Sequence, residues 1–132
     1  MKRLCVVVVG LCLILSAGPA TAKTVSIGAS PNPARVGERV RHDVGVGTMG
    51  RLEVWVSASG FEQPAFGTMP SGTWTFECCP SQTAGTPAWH YRSSSFVAPA
   101  AYRFSALART PGYFVSTASV AGRSSKVRIR IR

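Results

Sequence analysis

Apolar and polar residues alternate at every second position over most of the chain beyond residue 23. This period places successive side chains on opposite faces of a β-strand, and no stretch repeats apolar residues at helical spacing for three turns. The alternating segments are 25–27, 40–46, 51–57, 73–77, 88–96, 101–109, 113–120 and 126–132. A long Gly- and Pro-rich connection is expected over 59–72. Seven to eight short strands at this spacing predict an all-β antiparallel sandwich, with a barrel of similar strand count as the alternative.

Two positions favour the sandwich over the barrel. Val44 and Phe104 fall where two facing sheets would meet, and Trp55 follows closely enough to fill the core between them. However, Trp55 is out of phase with the apolar residues over 52–56, so that either Trp55 or those residues face solvent unless both faces of the sheet are covered. The sequence leaves this phase open.

The first 22 residues differ from the rest of the chain and predict a secretory signal peptide. A positive start at 1–3 precedes an apolar run over 4–15, and small residues at Ala20 and Ala22 suit a cleavage site. The run is shorter than the roughly 20 residues that cross a bilayer. We therefore expect cleavage after Ala22, one domain over 23–132 with no membrane span, and a secreted location, either extracellular or periplasmic.

Composition and charge narrow the class of protein. The chain has 132 residues, 15 basic against 5 acidic, and a formal net charge of +10. That length excludes a two-domain enzyme, and an apolar content of 45% excludes a disordered basic tail. Loss of Lys2 and Arg3 with the signal peptide would leave a domain with a net charge of +8.

Two stretches resemble bacterial immunoglobulin-like domains. The segment 29–40 contains a Ser-Pro-x-Pro stretch at 30–33, followed by a Val-Gly-x-x-Val start of the second strand. The segment 94–104 is similar to the late strands of such domains, and Tyr102 before Phe104 has the spacing of a tyrosine corner. The resemblance implies an immunoglobulin-like antiparallel β-sandwich without the inter-sheet cysteine pair of antibody domains. It transfers no active site.

Cys78 and Cys79 are the most unusual local feature. Cys5 and Cys12 would leave with the signal peptide, so these two are the cysteines of the secreted domain. Thiols in secreted proteins are usually oxidised, but consecutive Cα atoms lie about 3.8 Å apart, closer than in ordinary disulfides. Three states stay open: a vicinal disulfide that stiffens the loop, disulfides to another chain, and free or metal-bound thiols.

The sequence gives little support for a catalytic site or a metal site. Two cysteines with His42 and His90 would be enough for a tetrahedral zinc site, and both histidines are expected on neighbouring strands of one sheet, but adjacent cysteines lack zinc-ligand spacing. No Gly-x-Ser-x-Gly elbow occurs. The glutamates are scattered, at Glu38, Glu53, Glu62 and Glu77. The sequence predicts a protein that is not an enzyme, with no cofactor and no metal site.

The final segment, 126–132, carries the strongest functional signal. Its apolar residues would face inward while its cations form a ridge, and two further arginines are expected on the adjacent strand. The candidate anion-binding residues are Arg103, Arg109, Lys126, Arg128, Arg130 and Arg132. Such a face attracts polyanions, although charges on a terminal strand also protect against edge pairing. Nucleic acid is disfavoured because the protein is exported and no aromatic stacking motif accompanies the arginines.

These features predict a secreted, non-catalytic binding or structural module at the cell surface. Its expected partner is an anionic cell-surface polymer or another secreted protein. One alternative is a self-associating structural protein joined through Cys78 and Cys79; another is a small secreted metal-binding protein or enzyme. The sequence leaves the partner and the oligomeric state open.

Overall fold

The computed structural model describes residues 24–132, which form nine β-strands and one short 3₁₀-helix, Ser81–Thr83. The strands are β1 Val25–Ser30, β2 Arg39–Val46, β3 Gly50–Ser57, β4 Ala65–Phe66, β5 Gly72–Glu77, β6 Ala88–Val97, β7 Ala100–Leu107, β8 Gly112–Val120 and β9 Arg123–Ile131. All eight predicted strands are present. The ninth, β4, lies inside the expected long connection. The predicted signal peptide, 1–22, lies outside the described residues.

The strands form two open antiparallel sheets, which confirms the β-sandwich. The first sheet has the order β1-β2-β7-β4, and the second has the order β5-β6-β3-β8-β9. Both sheets have free edges, unlike a closed barrel. Within residues 24–132, no helix is long and apolar enough to cross a membrane.

Alternation decides which residues enter the core between the sheets. Every second residue of β2 is buried, from Val40 to Val46, and Phe104 of β7 joins them from the next strand of the first sheet. Leu52 and Val54 of β3 are fully buried in the facing sheet. The predicted core positions Val44 and Phe104 are therefore confirmed as buried, on adjacent strands of one sheet.

Trp55 does not fill the space between the sheets, so that expectation was wrong. It follows Val54 on β3 and therefore points to the opposite face of the second sheet. There it is buried under the segment that contains the 3₁₀-helix, which is held on the sheet by a hydrogen bond of 2.6 Å from Thr117 Oγ1 to the Gln82 carbonyl. Both faces of β3 are covered, which is why its apolar pattern is out of phase.

His42 is a fully buried polar residue that links the two sheets. Its Nε2 lies 3.1 Å from Ser116 Oγ of β8, and its Nδ1 lies 3.3 Å from the Val40 carbonyl oxygen. Because a carbonyl only accepts, Nδ1 carries the proton and the Ser116 hydroxyl donates to Nε2. The ring stacks on Phe104 at 4.5 Å. Burial lowers the pKa of His42 to about 4, so the ring is neutral at pH 7.

A two-residue turn fixes the register of the β8–β9 hairpin. Ala121 and Gly122 connect the strands with φ values of 51° and 76°, the left-handed conformation that a tight hairpin turn requires. Val120 pairs with Arg123, and the register continues to Gly112 opposite Ile131. This turn determines which side chains of β8 lie beside the cations of β9.

Candidate anion-binding strand and the adjoining disulfide loop

Lys126, Arg128 and Arg130 lie on the outer face of β9, as the alternation predicted, and Arg132 directly follows the strand. Ile129 and Ile131 are buried and Val127 is half-buried, whereas the intervening cations are exposed. We call these exposed cations, Lys126, Arg128, Arg130 and Arg132, the basic stripe. Alternate residues of a strand are about 6.8 Å apart, so the stripe extends over about 20 Å.

Arg103 and Arg109 do not belong to this face, and the expected six-charge surface was wrong in that respect. The strand beside β9 is β8, whereas β7 lies in the other sheet. Arg103 on β7 is paired with Asp43 of β2, with 2.9 Å between Nε and Oδ1. Arg109 follows β7, and its backbone N–H donates to the Gly60 carbonyl. A role for either residue in anion binding stays a prediction.

Within residues 24–132, the stripe forms no ion pair with a carboxylate. All five acidic residues lie between 38 and 77, and the chain from 78 to 132 carries eight cations and no acid. Asp43 pairs with Arg41 and Arg103, while Glu53 and Glu77 lie beside His90. Across residues 24–132, no ion pair joins a residue of the stripe to a carboxylate. Its charges are therefore available to an external anion.

Tyr113 supports the arginines of the stripe. It is directly opposite Arg130 in the β8–β9 register and is 56% exposed. The guanidinium carbon of Arg128 lies 4.2 Å from the centre of its ring, and that of Arg130 lies 5.7 Å away. Contacts of this kind are worth about 0.5–1 kcal/mol each at exposed sites. Sequence reasoning missed this aromatic partner, although the short turn between the strands places residue 113 opposite residue 130.

From Arg128 to Arg132, the outer edge of β9 is hydrogen-bonded to the segment that precedes β2. The Asn32 side chain donates to the Arg128 carbonyl at 2.9 Å and accepts from the Arg130 N–H at 3.1 Å. Ala34 donates to the Arg130 carbonyl and accepts from the Arg132 N–H. This segment therefore prevents another strand from pairing with β9 between Arg128 and Arg132. Protection against edge pairing does not explain the exposed cations there.

A groove of about 310 Å³ lies at the start of the stripe, between the 3₁₀-helix and the β8–β9 hairpin. Its floor includes Trp55. Hydroxyl groups and two cations line it, from Ser81, Thr117, Ser119, Ser124, Arg123 and Lys126.

Cys78 and Cys79 are joined as a vicinal disulfide, one of the three states that the sequence left open. Both residues are exposed and directly follow β5, where the chain leaves the sheet and turns towards the 3₁₀-helix. A bond within the chain occupies both sulfur atoms. In this state neither is available for a bond to another chain.

His90 and two glutamates form a polar cluster beside the disulfide. The His90 Nε2 lies 3.0 Å from Glu53 Oε1, and its Nδ1 lies 3.2 Å from Glu77 Oε1. Trp55 stacks on the imidazole at 4.5 Å and donates its Nε1–H to Glu77 Oε1. Two glutamates expected to be scattered are therefore brought together, because β5, β6 and β3 are adjacent in the sheet.

The strands of His42 and His90 are not neighbours in one sheet, so that part of the expectation was wrong. His42 lies in the core on the first sheet, and His90 lies on the outer face of the second. In the described part of the chain, no group of three or more His, Cys, Asp or Glu side chains is placed to hold a metal ion.

Comparison with known proteins gives only distant likenesses. No protein-family model and no curated protein matches the chain. The reeler domain of human F-spondin is similar over 83% of this chain and 90% of its own, with 11% identity and a TM-score of 0.49. The CARDB domain of the PF1109 protein from Pyrococcus furiosus, solved in complex with di-metal ions, is similar over 83% and 86%, with 12% identity and a TM-score of 0.42. At these TM-scores the likeness carries no argument, and the fold rests on the strand pairing itself.

Proposed function

We propose that this chain is a secreted, non-catalytic immunoglobulin-like module that binds an anionic cell-surface polymer along the basic stripe. The observation that carries the proposal is a row of four exposed cations, three on the outer face of β9 and Arg132 directly after it, with no carboxylate partner among residues 24–132. Alternate residues of a strand are evenly spaced, so the charges of the stripe can contact successive groups of a linear polyanion.

Electrostatics favour this mode of binding. Each pair of opposite charges at a protein surface contributes little alone, but several along one polymer add, and the attraction weakens as salt screens it. Tyr113 restricts the motion of Arg128 and Arg130, which lowers the side-chain entropy lost when a polymer binds. On the same sheet face, Glu53 and Glu77 lie beside His90 and form no ion pair with the stripe among residues 24–132.

The strand order supports an immunoglobulin-like assignment. The sheet order β1-β2-β7-β4 corresponds to strands A-B-E-D of such domains, and β3-β8-β9 corresponds to C-F-G. The Tyr102 hydroxyl donates to the Ala98 carbonyl at 2.7 Å, but Tyr102 is on β7, which corresponds to strand E, whereas a tyrosine corner lies on strand F, so this bond does not add to the assignment. One difference is that β5 and β6 follow β4 along the chain and extend the second sheet beyond β3.

Retention on an immobilised polyphosphate column tests the proposal. A triple variant, Arg128→Ser, Arg130→Ser and Arg132→Ser, is expected to lose retention at about physiological ionic strength, where charges beyond about 8 Å are screened. The matched control replaces Arg39, Arg41 and Arg92 by Ser, which lowers the net charge equally but leaves the stripe and the other candidate anion-binding residues intact. Equal elution of the two variants would show that net charge, not the stripe, causes retention.

A further inference from the structure

The edge of the second sheet opposite the basic stripe is unprotected. Strand β5 is the outermost strand there, and across residues 24–132 it makes backbone ladder pairs with β6 only. Its sequence, Gly-Thr-Trp-Thr-Phe-Glu, contains none of the Lys, Arg or Pro residues that usually prevent edge-to-edge pairing. By contrast, β9 is covered by a neighbouring segment and is rich in charge.

Exposed aromatic side chains lie along the same edge. On the inner face of β5, Phe76 is 61% exposed and makes a T-shaped contact with Trp89, while Trp74 is half-buried. Phe66 of β4, at the corresponding edge of the first sheet, is 52% exposed and contacts Trp74. A strand that pairs with β5 would thus also cover apolar surface.

We propose that two copies of this chain pair antiparallel through β5, with Thr75 opposite Thr75 of the second copy. Directly opposed residues must share a face of the sheet, which leaves only registers that set inward residues against inward ones. The register centred on Thr75 opposes Trp74 with Phe76 of the second copy and Thr73 with its Glu77. It therefore covers the most exposed aromatic ring of the strand.

Charge complementarity favours a second copy in this register. Arg92 of β6 is exposed and lies beside Thr73 on the outer face of the sheet. Glu77 of one copy would come within two strand spacings of Arg92 of the other, about 9.6 Å between Cα atoms, which both long side chains can span. The contact forms twice, once on each side of the symmetry axis.

The net charge of the protein does not oppose this pairing. The two stripes would occupy the far edges of a continuous ten-stranded sheet, nine strand spacings or about 43 Å apart. That separation is several times the Debye length at physiological salt. The inference is independent of anion binding, although a dimer would present two stripes on one face.

The pairing also differs from assembly through cysteine. In this register the two Cys78 residues lie six positions apart along the paired strands, about 20 Å, which is too far for a disulfide between them. We therefore expect the dimer to persist in reducing agent.

Sedimentation equilibrium of the purified protein, with and without reducing agent, tests the proposal. Thr75→Lys sets two like charges directly opposite each other and is expected to weaken dimerisation about two- to fivefold. Thr73→Lys is the matched control, because the same change on the same face of β5 places the new cation opposite Glu77 and is expected to retain the dimer. Mixing Thr75→Lys with Thr75→Glu is expected to restore pairing as a heterodimer.

Three results would overturn the inference. The first is a wild-type protein that stays monomeric up to about 1 mM, the range of the weakest specific associations. The second is a dimer that survives both Thr75→Lys and Thr75→Glu. The third is a dimer that disappears on reduction. Thermal unfolding of each variant checks that the sandwich itself is intact.

Discussion

Acid should destabilise this protein through His42. Burial disfavours the imidazolium, so the pKa falls from 6.5 in the unfolded chain to about 4 in the folded protein. Between these two pH values the His42 imidazole is therefore protonated in the unfolded chain and neutral in the folded protein. The contribution of His42 to stability is complete above pH 6.5, is lost as the pH falls towards 4, and does not change further below that.

The size of the effect follows from the two pKa values. Each unit of difference corresponds to about 1.4 kcal/mol, which sets a limit of about 3 kcal/mol for the complete shift. Between pH 7 and pH 5 the free energy of unfolding should fall by about 2 kcal/mol from this residue alone. That is a large fraction of the stability of a small domain.

Urea denaturation followed by tryptophan fluorescence at pH 7 and pH 5 measures this loss. The double variant His42→Leu, Ser116→Ala removes the imidazole together with its buried hydroxyl partner, and its loss on acidification should be smaller by about 2 kcal/mol. Ser116→Ala alone is the control, since it keeps the imidazole and should keep the acid sensitivity. If the double variant lost as much stability as the wild type, His42 would not be the buried neutral group described here.

Further predictions concern the hairpin and two tyrosines. Ala121→Asn suits the left-handed first position of the turn and should raise the free energy of unfolding by about 0.5–1 kcal/mol; a decrease would contradict the turn geometry. Burial raises the pKa of Tyr91 to about 12, so stability should fall as the pH rises from 10 towards 12, and Tyr91→Phe should abolish that fall in alkaline urea titrations. Tyr113→Ala should weaken polyphosphate binding about two- to fivefold by calorimetry, whereas an unchanged affinity would separate the ring from the site.

The alternation of apolar residues was sufficient to predict eight strands and the inward faces of β2, β7 and β9. It could not predict β4, because two residues paired with β7 are too few to show a period. The sequence could not show which face of β3 carries Trp55, and the reason is physical. Its ring is covered by a segment about 27 positions later in the chain. The alternation of residues within β3 cannot predict a contact with so distant a segment.

The sequence predicted those parts of the candidate site that depend on one strand. Predictions that depended on the order of strands in the sheets were wrong. The stripe follows from the alternation of β9 alone. The placement of Arg103 required knowing that β7 belongs to the other sheet, and the meeting of Glu53 with Glu77 required the non-sequential order β5-β6-β3. The contact between Tyr113 and Arg130 could have been predicted from a two-residue turn at 121–122. That turn was hard to recognise because alanine is unusual at its first position.

The central claim is that the basic stripe binds an anionic polymer by direct charge contact. The salt dependence of polyphosphate affinity, measured by calorimetric titration, tests it most directly. Each contact with a flexible polyanion contributes about 0.7 to the slope of log K against log salt. Replacing Arg128, Arg130 and Arg132 by Ser should therefore reduce that slope by about 2. An unchanged slope would place the bound polymer elsewhere on the protein and contradict the account.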